Sequence, residues 1–275
     1  MIIDGKKIAQ EIIEKLKNLP CPKKYLVAIL VGENPASISF LKQKEKVADE
    51  LGVKFKLTDL PEGAAENTII KTISNLEHDN KCGGIIVQLP LPSHLNREKI
   101  ISAIPKEKDV DVLNGGDVLP PAVGVVIKII ENYLPAEASA QAGKLKIENC
   151  NVAVVGLGAL VGKPISEWLK DKTKELILIN EGDDVSVIKN ADIVISGVGK
   201  PNLITPEMLK ENALVIDFGY SMKDGKLSGD FDSSLLTPIR QLADQVPSAY
   251  TPTPGGTGPV LVAQLFENFY RLNAK

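Results

Sequence analysis

The feature that most constrains the fold of this chain is a regular alternation of apolar runs with helix-forming segments. Runs such as 25–32 and 83–89 are almost wholly apolar and have the length of buried strands. The segment 35–52 repeats its apolar residues every three or four positions and ends at a glycine, which is typical of a helix. Such alternation is characteristic of βαβ units, so we predict an α/β fold with parallel sheets.

The alternation occurs in two series, and 275 residues are enough for two domains. The stretch 109–122, which contains glycines and prolines, interrupts the first series, and the second begins near residue 151. Open parallel sheets bind ligands beyond the carboxyl ends of their strands. We therefore predict two α/β lobes flanking a cleft, the second of Rossmann type. Further helices are predicted over 8–19, 65–78, 96–103, 123–134 and 160–170.

The domain limits follow from this pattern. We expect an N-terminal domain at 1–122, then a connecting helix and a linker of small residues at 123–143. A second domain then covers 144–258. The C-terminal helix at 259–275 is expected to pack back on the first domain.

Charge and composition exclude several classes of function. The formal net charge is −3 with both signs interspersed, so binding to nucleic acid or to a membrane surface has no electrostatic support. No apolar run approaches the roughly 18 residues of a membrane span. Three widely spaced cysteines suggest reduced thiols and a cytoplasmic location. With only two histidines, His78 and His94, neither a metal site nor a histidine-based active site is expected, so proton transfer falls to Lys, Asp or Glu.

One lysine stands out on the predicted helix at 35–52. Its apolar face comprises Phe40, Val47, Ala48 and Leu51, and Lys44 falls on the same face. If Lys44 is buried, its pKa moves toward a range useful for catalysis. The alternative is that its apolar stem packs while its ammonium group reaches solvent.

Polar residues also follow the strand at 83–89. Gln88 lies at the carboxyl end of that strand, where α/β folds bind ligands, although it could merely hydrogen-bond the next loop. Asp109 and Asp111 follow the next predicted helix, and a surface turn would explain them equally well.

A glycine turn opens the second series. The apolar run 151–155 is followed by Gly156, Gly158 and Gly162, with the spacing G-x-G-x-x-x-G rather than the usual G-x-G-x-x-G. A strand, a glycine turn and then a helix allow the backbone to approach a pyrophosphate at the helix N-terminus. A tight turn without ligand is the alternative.

Together these segments resemble the bifunctional methylenetetrahydrofolate dehydrogenase/cyclohydrolase (FolD-type) family along nearly the whole chain. "VQLPLP" and "PGGTGP", in this order and spacing, are the most specific matches. The other matching segments are "VGENPASISFLKQKEKVADELG", "PKEKDVDV", "VVGLGALVGKP", "ADIVISGVGKP" and "ALVIDFGY".

The resemblance implies oxidation of 5,10-methylenetetrahydrofolate with NAD or NADP, and hydrolysis of the 5,10-methenyl product to 10-formyltetrahydrofolate. It also implies a homodimer. It places catalysis on Lys44, Gln88 and Asp111. Substrate-binding positions are Phe40, Asp111, Pro252, Pro254, Gly255 and Gly256. Dinucleotide-binding positions are Gly156, Leu157, Gly158, Val161, Gly162, Glu181, Gly197 and Gly199.

Two departures from the family pattern matter for function. Phe40 replaces the family's tyrosine, which removes a hydroxyl that would position Lys44, so the cyclohydrolase step is expected to suffer more than the dehydrogenase step. Leu157-Gly158 stands where NADP-dependent members carry Arg-Ser. Because acidic residues that follow the second strand bind the ribose 2′-hydroxyl in NAD sites, we predict NAD preference, with Glu181 or Asp183 as the ligand. Capping of the helix that begins near residue 184 is the alternative role for these acids.

Three alternative functions remain open. One is a family member that retains only the dehydrogenase activity, and another is a two-lobed dehydrogenase of the shikimate or amino-acid type. The third is a folate- or nucleotide-binding relic without turnover, for which Phe40, the shortened stretch 113–124 and the altered glycine turn are evidence.

Overall fold

The computed structural model describes residues 1–133, 146–223, 226–236 and 247–274. The predicted linker, 135–143, lies outside these residues. The helices are α1 (Gly5–Lys17), α2 (Pro35–Leu51), α3 (Glu66–His78), α4 (Arg97–Ser102), α5 (Pro121–Tyr133), α6 (Gly162–Leu169) and α7 (Thr257–Asn273). The strands are β1 (Tyr25–Val31), β2 (Phe55–Leu60), β3 (Cys82–Val87), β4 (Asn151–Val155), β5 (Glu175–Ile179), β6 (Ile193–Ser196), β7 (Leu214–Asp217), β8 (Ser221–Lys223), β9 (Lys226–Ser228) and β10 (Ala249–Tyr250).

The chain divides into two compact units. The first unit comprises residues 9–121 and 261–275, and the second comprises 1–8 and 122–260. By this division the first eight residues and most of α5 belong to the second unit, whereas most of α7 belongs to the first.

The first unit is built on a parallel sheet in the order β2-β1-β3. Strands β1 and β3 are buried along their whole length, which explains their continuous apolar sequences. Helix α7 packs closely on β3, because a Cβ at Gly84 would lie 2.9 Å from the Phe269 ring. The Asn268 side chain donates to the carbonyls of Val110, at 2.9 Å, and Leu119, at 2.8 Å, and so joins the C-terminal helix to the loop after α4.

The second unit contains a five-stranded parallel sheet in the order β10-β7-β6-β4-β5. At its β10 edge the N-terminal residues add a further parallel bridge, between Ile2 and Tyr250. A small antiparallel hairpin, β8–β9, lies outside this sheet and has no counterpart in the sequence prediction. The parallel sheets and the Rossmann-type second unit are as predicted.

Several predicted boundaries were wrong by a few residues, for local reasons. Helix α1 begins at Gly5 rather than residue 8, because the Asp4 side chain accepts hydrogen bonds from the backbone N–H groups of Lys6 and Lys7 at 3.0 and 3.2 Å. It ends at Lys17, three residues before Pro20. Helix α6 begins at Gly162, after the glycine turn, rather than at residue 160.

Candidate active site

Lys44 lies on α2, whose start is well defined by its sequence. The Asn34 side chain caps the helix by accepting from the Ser37 N–H at 3.0 Å, Pro35 occupies the first turn, and Gly52 ends the helix in a left-handed conformation. The predicted buried face was partly wrong, because Phe40 and Val47 are only half-buried. The buried side chains of α2 are Ser37, Leu41, Lys44, Ala48 and Leu51.

The Lys44 ammonium group does not reach solvent. The residue is 8% exposed, and its Nζ donates to Oε1 of Gln88 at 3.0 Å. Gln88 follows the end of β3 and is equally buried. Its Nε2 donates to the Leu89 carbonyl at 2.8 Å, which orients the amide so that its oxygen faces the lysine. Of the two readings of Lys44, the buried one is therefore what the structure shows.

Asp111 is the third member of this group. It lies in the loop after α4, is half-buried, and its carboxylate interacts electrostatically with Lys44. Burial lowers the pKa of the Lys44 amine below its ordinary range, and the Asp111 charge opposes part of that shift. Burial likewise raises the pKa of Asp111, against the effect of Lys44. The amine is thereby brought closer to the range in which it can both accept and release a proton.

The neighbouring Asp109 is not on a surface turn, which corrects one reading of the sequence. It is completely buried, its Oδ2 accepts from the Asn114 N–H at 2.6 Å, and burial raises its pKa to about 6. Between it and Asn114, Val112 has a φ of 58°, a left-handed conformation that is unusual for a β-branched residue. Asp109 thus shapes the loop on which Asp111 lies.

The remaining positions predicted to bind substrate fall in both units. Phe40 lies on α2 in the first unit, one helical turn before Lys44. Pro252, Pro254, Gly255 and Gly256 form a turn in the second unit, closed by a hydrogen bond from the Gly256 N–H to the Pro252 carbonyl at 2.8 Å. A Cβ at Gly5 would overlap the Gly256 carbonyl, so the start of α1 is packed directly against this turn.

The glycine turn after β4 has three glycines with three different local roles. Gly156 has a φ of +86°, which favours glycine. A Cβ at Gly162 would overlap the Gly156 carbonyl, so this glycine permits close packing of α6 on the turn. A Cβ at Gly158 would meet nothing within 4 Å, so the fold leaves open space there. An open backbone at the N-terminus of a helix fits the pyrophosphate of a dinucleotide.

Gly197, another predicted dinucleotide-binding position, packs against this turn. A Cβ at Gly197 would lie 2.7 Å from Val161 Cγ1, and a Cβ at Gly156 would lie 2.8 Å from Val198 Cγ2. Gly197 and Gly199 follow β6, and Gly199 has a φ of +74°. The turns after β4 and β6 therefore form one surface at the carboxyl end of the sheet.

The acidic residues after β5 differ in their environment. The Asp183 carboxylate accepts from the Asn180 N–H at 2.7 Å, and Asp184 caps the short 3₁₀ helix Val185–Asn190 through the Ser186 N–H at 2.9 Å. The helix is thus capped by Asp184, which the sequence prediction did not name, whereas the Asp183 carboxylate bonds within the turn. Glu181 is exposed at the start of this turn and remains the candidate for a ribose ligand.

Two buried acids in the second unit, Asp217 and Asp230, were missed by the sequence analysis. Gly229 directly precedes Asp230, and Asp217 ends the apolar run 213–216 two residues before Gly219, so only Asp217 shares the strand-end position that singled out Gln88. Among the described residues, no cluster of His, Cys, Asp and Glu could hold a metal ion. None of the helices described is both long enough and apolar enough to span a membrane.

These observations define a class of protein. One parallel-sheet unit contains a buried lysine paired with an amide and a carboxylate, and the other contains a strand, a glycine turn and a helix at the carboxyl end of a Rossmann-type sheet. Together they are the features of an α/β enzyme that uses NAD or NADP.

Comparison with known proteins identifies the family. The description "Tetrahydrofolate dehydrogenase/cyclohydrolase, catalytic domain" matches residues 3–111, and "Tetrahydrofolate dehydrogenase/cyclohydrolase, NAD(P)-binding domain" matches residues 139–275. The "Bifunctional protein FolD" of Francisella tularensis subsp. holarctica is 35% identical, over 98% of this chain and 97% of the relative. That of Macrococcus caseolyticus is 32% identical, over 97% and 95%. The chain belongs to the tetrahydrofolate dehydrogenase/cyclohydrolase family.

A solved structure agrees with this assignment. The bifunctional FolD enzyme, a methylenetetrahydrofolate dehydrogenase/cyclohydrolase, from Campylobacter jejuni superposes with a TM-score of 0.84 at 30% identity, covering 100% of this chain and 98% of the other. The family resemblance inferred from the sequence is therefore confirmed. None of these matches favours a dehydrogenase-only enzyme or a non-catalytic relic.

Proposed function

We propose that this chain catalyses two successive reactions of one-carbon metabolism and that Lys44, Gln88 and Asp111 form its catalytic group. It oxidises 5,10-methylenetetrahydrofolate to the 5,10-methenyl cation with NAD or NADP, and it hydrolyses that cation to 10-formyltetrahydrofolate. The observation that carries the assignment of residues is the 3.0 Å hydrogen bond between the buried Lys44 Nζ and Gln88 Oε1.

The hydrolytic step requires proton transfer at two atoms. Water adds to the methenyl carbon and loses one proton, which gives a neutral hydroxyl adduct. The bond from that carbon to N5 then breaks and N5 gains a proton, while the hydroxyl loses the second water proton to solvent as the formyl C=O forms. The formyl group remains on N10. A lysine whose pKa is lowered by burial can accept the first proton and donate the proton that N5 gains. Gln88 keeps the amine in position, and the Asp111 carboxylate binds the pterin ring and stabilises the protonated amine.

The oxidative step depends on orientation. The dinucleotide, when bound, supplies the acceptor for the hydride that leaves the one-carbon bridge. In our proposal Phe40 stacks on the pterin, and Pro252, Pro254, Gly255 and Gly256 line the folate site. The turns that contain Gly156, Leu157, Gly158, Val161, Gly162, Gly197 and Gly199 hold the dinucleotide.

We further propose a preference for NAD over NADP. A 2′-phosphate is best held by the two parallel hydrogen bonds of an arginine, and the chain has no arginine between Arg97 and Arg240. The exposed Glu181 would repel that phosphate, whereas it can accept a hydrogen bond from a free 2′-hydroxyl. In this proposal the 1–122 and 259–275 segments contain the catalytic group, and 144–258 binds the dinucleotide. Homodimer formation and a cytoplasmic location stay predictions.

The two proposals are tested together on the unmodified chain. Mixing it with 5,10-methylenetetrahydrofolate and NAD should produce reduced nicotinamide, measured by absorbance, and added 5,10-methenyltetrahydrofolate should be hydrolysed. We expect kcat/KM for NAD to exceed that for NADP by about tenfold or more, the scale of a lost charged hydrogen bond. No reduced nicotinamide with either dinucleotide would overturn the function, and better use of NADP would overturn only the preference.

Glu181→Gln, compared with the same change elsewhere, tests whether Glu181 contacts the ribose or only adds negative charge to this surface. It should lower kcat/KM for NAD by about tenfold, because the charged acceptor for the 2′-hydroxyl is lost. Glu167→Gln makes the same change on an exposed position of α6 and should leave both dinucleotides unaffected.

Phe40→Tyr should raise the cyclohydrolase rate more than the dehydrogenase rate. The added hydroxyl can hydrogen-bond toward the Lys44 amine, a gain of about three- to tenfold for one neutral hydrogen bond, while stacking on the pterin is unchanged. Both rates are measured on the purified variant at saturating folate. Phe55→Tyr, on half-buried β2 of the same unit, is the matched control. Equal increases in the two rates at Phe40→Tyr would contradict this role.

A further inference from the structure

Two carboxylates are buried at the carboxyl end of the sheet in the second unit, and no role has yet been assigned to them. Asp217 is the last residue of β7 and is 2% exposed, and Asp230 lies two residues after β9 and is 0% exposed. An ionised carboxylate is costly to bury unless hydrogen-bond donors surround it. The hydrogen-bond donors around Asp217 and Asp230 therefore show which segments of the backbone the two carboxylates hold in place.

Three donors reach Asp230, all from the end of β6 and the loop that follows. Its Oδ2 accepts from the Ser196 hydroxyl at 2.6 Å and from the Val198 N–H at 2.8 Å. Its Oδ1 accepts from the Lys200 N–H at 2.8 Å. Hydrogen bonds to an ionised acceptor are about twice as strong as those between neutral groups. One carboxylate thus fixes the backbone of the loop at 197–200, which we call the β6 loop.

Asp217 holds the segment that carries Asp230. It accepts from the Gly219 N–H at 2.6 Å and from the Phe231 N–H, next to Asp230, at 3.0 Å. Two glycines make this arrangement possible, since a Cβ at Gly219 would overlap the Asp230 carboxylate and a Cβ at Gly229 would overlap that of Asp217. Asp217 therefore holds the segment that contains Asp230, and Asp230 in turn holds the β6 loop. Gly219 and Gly229 leave the space that the two carboxylates occupy.

The side of the β6 loop away from Asp230 is open. Val198 is 43% exposed although it is apolar, and Gly199 has a left-handed φ of +74°. The loop also packs against the glycine turn, through the contacts that Gly156 and Gly197 make with Val198 and Val161. The β6 loop is thus fixed on the side that faces Asp230 and exposed on the other side. It lies where parallel sheets bind nucleotides.

We propose that Asp230 is a positioning residue for the dinucleotide, which holds the β6 loop in its binding conformation while Asp217 supports it from β7. The inference rests on the proposed function, because it requires that the β6 loop contacts NAD or NADP. It assigns Asp230 no contact with the reacting atoms. The expected consequence of its loss is confined to the dinucleotide-dependent reaction.

The test is Asp230→Asn, which preserves shape but replaces one acceptor oxygen with an amino group that cannot accept from an N–H. We expect the dissociation constant for NAD, measured by calorimetry on the full chain, to rise at least about tenfold. The KM for the dinucleotide should rise with it, whereas hydrolysis of added 5,10-methenyltetrahydrofolate should stay within about twofold, because the donors that bond to the Asp230 carboxylate lie at 196–200 and not among Lys44, Gln88, Asp111 or the turn at 252–256.

Two further variants keep the test decisive. Asp232→Asn makes the same change two residues along, where the side chain caps a short turn through the Ser234 N–H, and should leave NAD binding unchanged. If Asp230→Asn does not fold, Ser196→Ala removes one donor only and should raise the dissociation constant about threefold. Unchanged NAD binding in whichever of the two variants folds, or an equal loss of both reactions, would overturn the inference. Failure of the unmodified chain to reduce either dinucleotide would instead overturn the proposed function.

Discussion

Lys44→Met is expected to reduce the cyclohydrolase rate by about two to four orders of magnitude, which is the usual contribution of a general acid–base group. Methionine has a similar length and tolerates the apolar surroundings of a residue that is 8% exposed. Burying a thioether also costs less than burying an amine, so the variant should fold. The dehydrogenase rate should stay within about tenfold, because hydride transfer needs orientation rather than a proton relay.

The two rates are measured separately, by hydrolysis of 5,10-methenyltetrahydrofolate and by formation of reduced nicotinamide. Lys46→Met, on an exposed position of the same helix, is the matched control and should leave both rates unchanged. A Lys44→Met variant that still hydrolyses the methenyl cation at the original rate would show that another group transfers the protons. A proportional loss of both rates would instead point to damage to the folate site.

Much of this site could be predicted because its signals are local. Helical periodicity placed Lys44 on an apolar face but left open whether its ammonium group reaches solvent, and the position of Gln88 follows from a strand too apolar to lie on a surface. The predicted apolar face of α2, on which Lys44 was identified, was nevertheless partly wrong, since Leu41 rather than Phe40 is buried. An error of one position rotates a helix face by about 100°, so the exact neighbours of a residue depend on tertiary packing.

Other parts of the molecule could not be predicted because their partners are distant in sequence. Asp230 bonds to Ser196 and to the loop after it, 30 to 34 residues away. Asp109 was indistinguishable from a surface turn because its burial depends on the distant strand β3, whose Ile85 forms a parallel bridge with it. The bridge between Ile2 and Tyr250 joins the start of the sequence to a strand 248 residues further on. Such contacts leave no periodic signal in a single sequence.

The glycine turn allows a second strong prediction, in which two glycines four residues apart respond differently to the same substitution. In Gly162→Ala the new methyl group would overlap the Gly156 carbonyl, which is backbone and cannot rotate away. Overpacking of this kind costs about 1–3 kcal/mol or more, and relief requires moving the turn relative to α6. We expect a lower melting temperature and at least about tenfold weaker binding of NAD, because displaced N–H groups no longer meet the pyrophosphate.

Gly158→Ala is the matched variant, since its methyl group would meet nothing within 4 Å. Replacing glycine where the backbone needs no special conformation stabilises a protein by about 0.4–1 kcal/mol, so its melting temperature should not fall. NAD binding should weaken in this variant as well, because its methyl group occupies the open space that the proposed function assigns to the pyrophosphate. Thermal unfolding therefore separates the two variants, and calorimetric titration with NAD measures the binding. Equal losses of melting temperature in the two variants would show that close packing of Gly162 on Gly156 does not shape the turn. Unchanged NAD binding in Gly158→Ala would show that the dinucleotide does not occupy the space beside that residue.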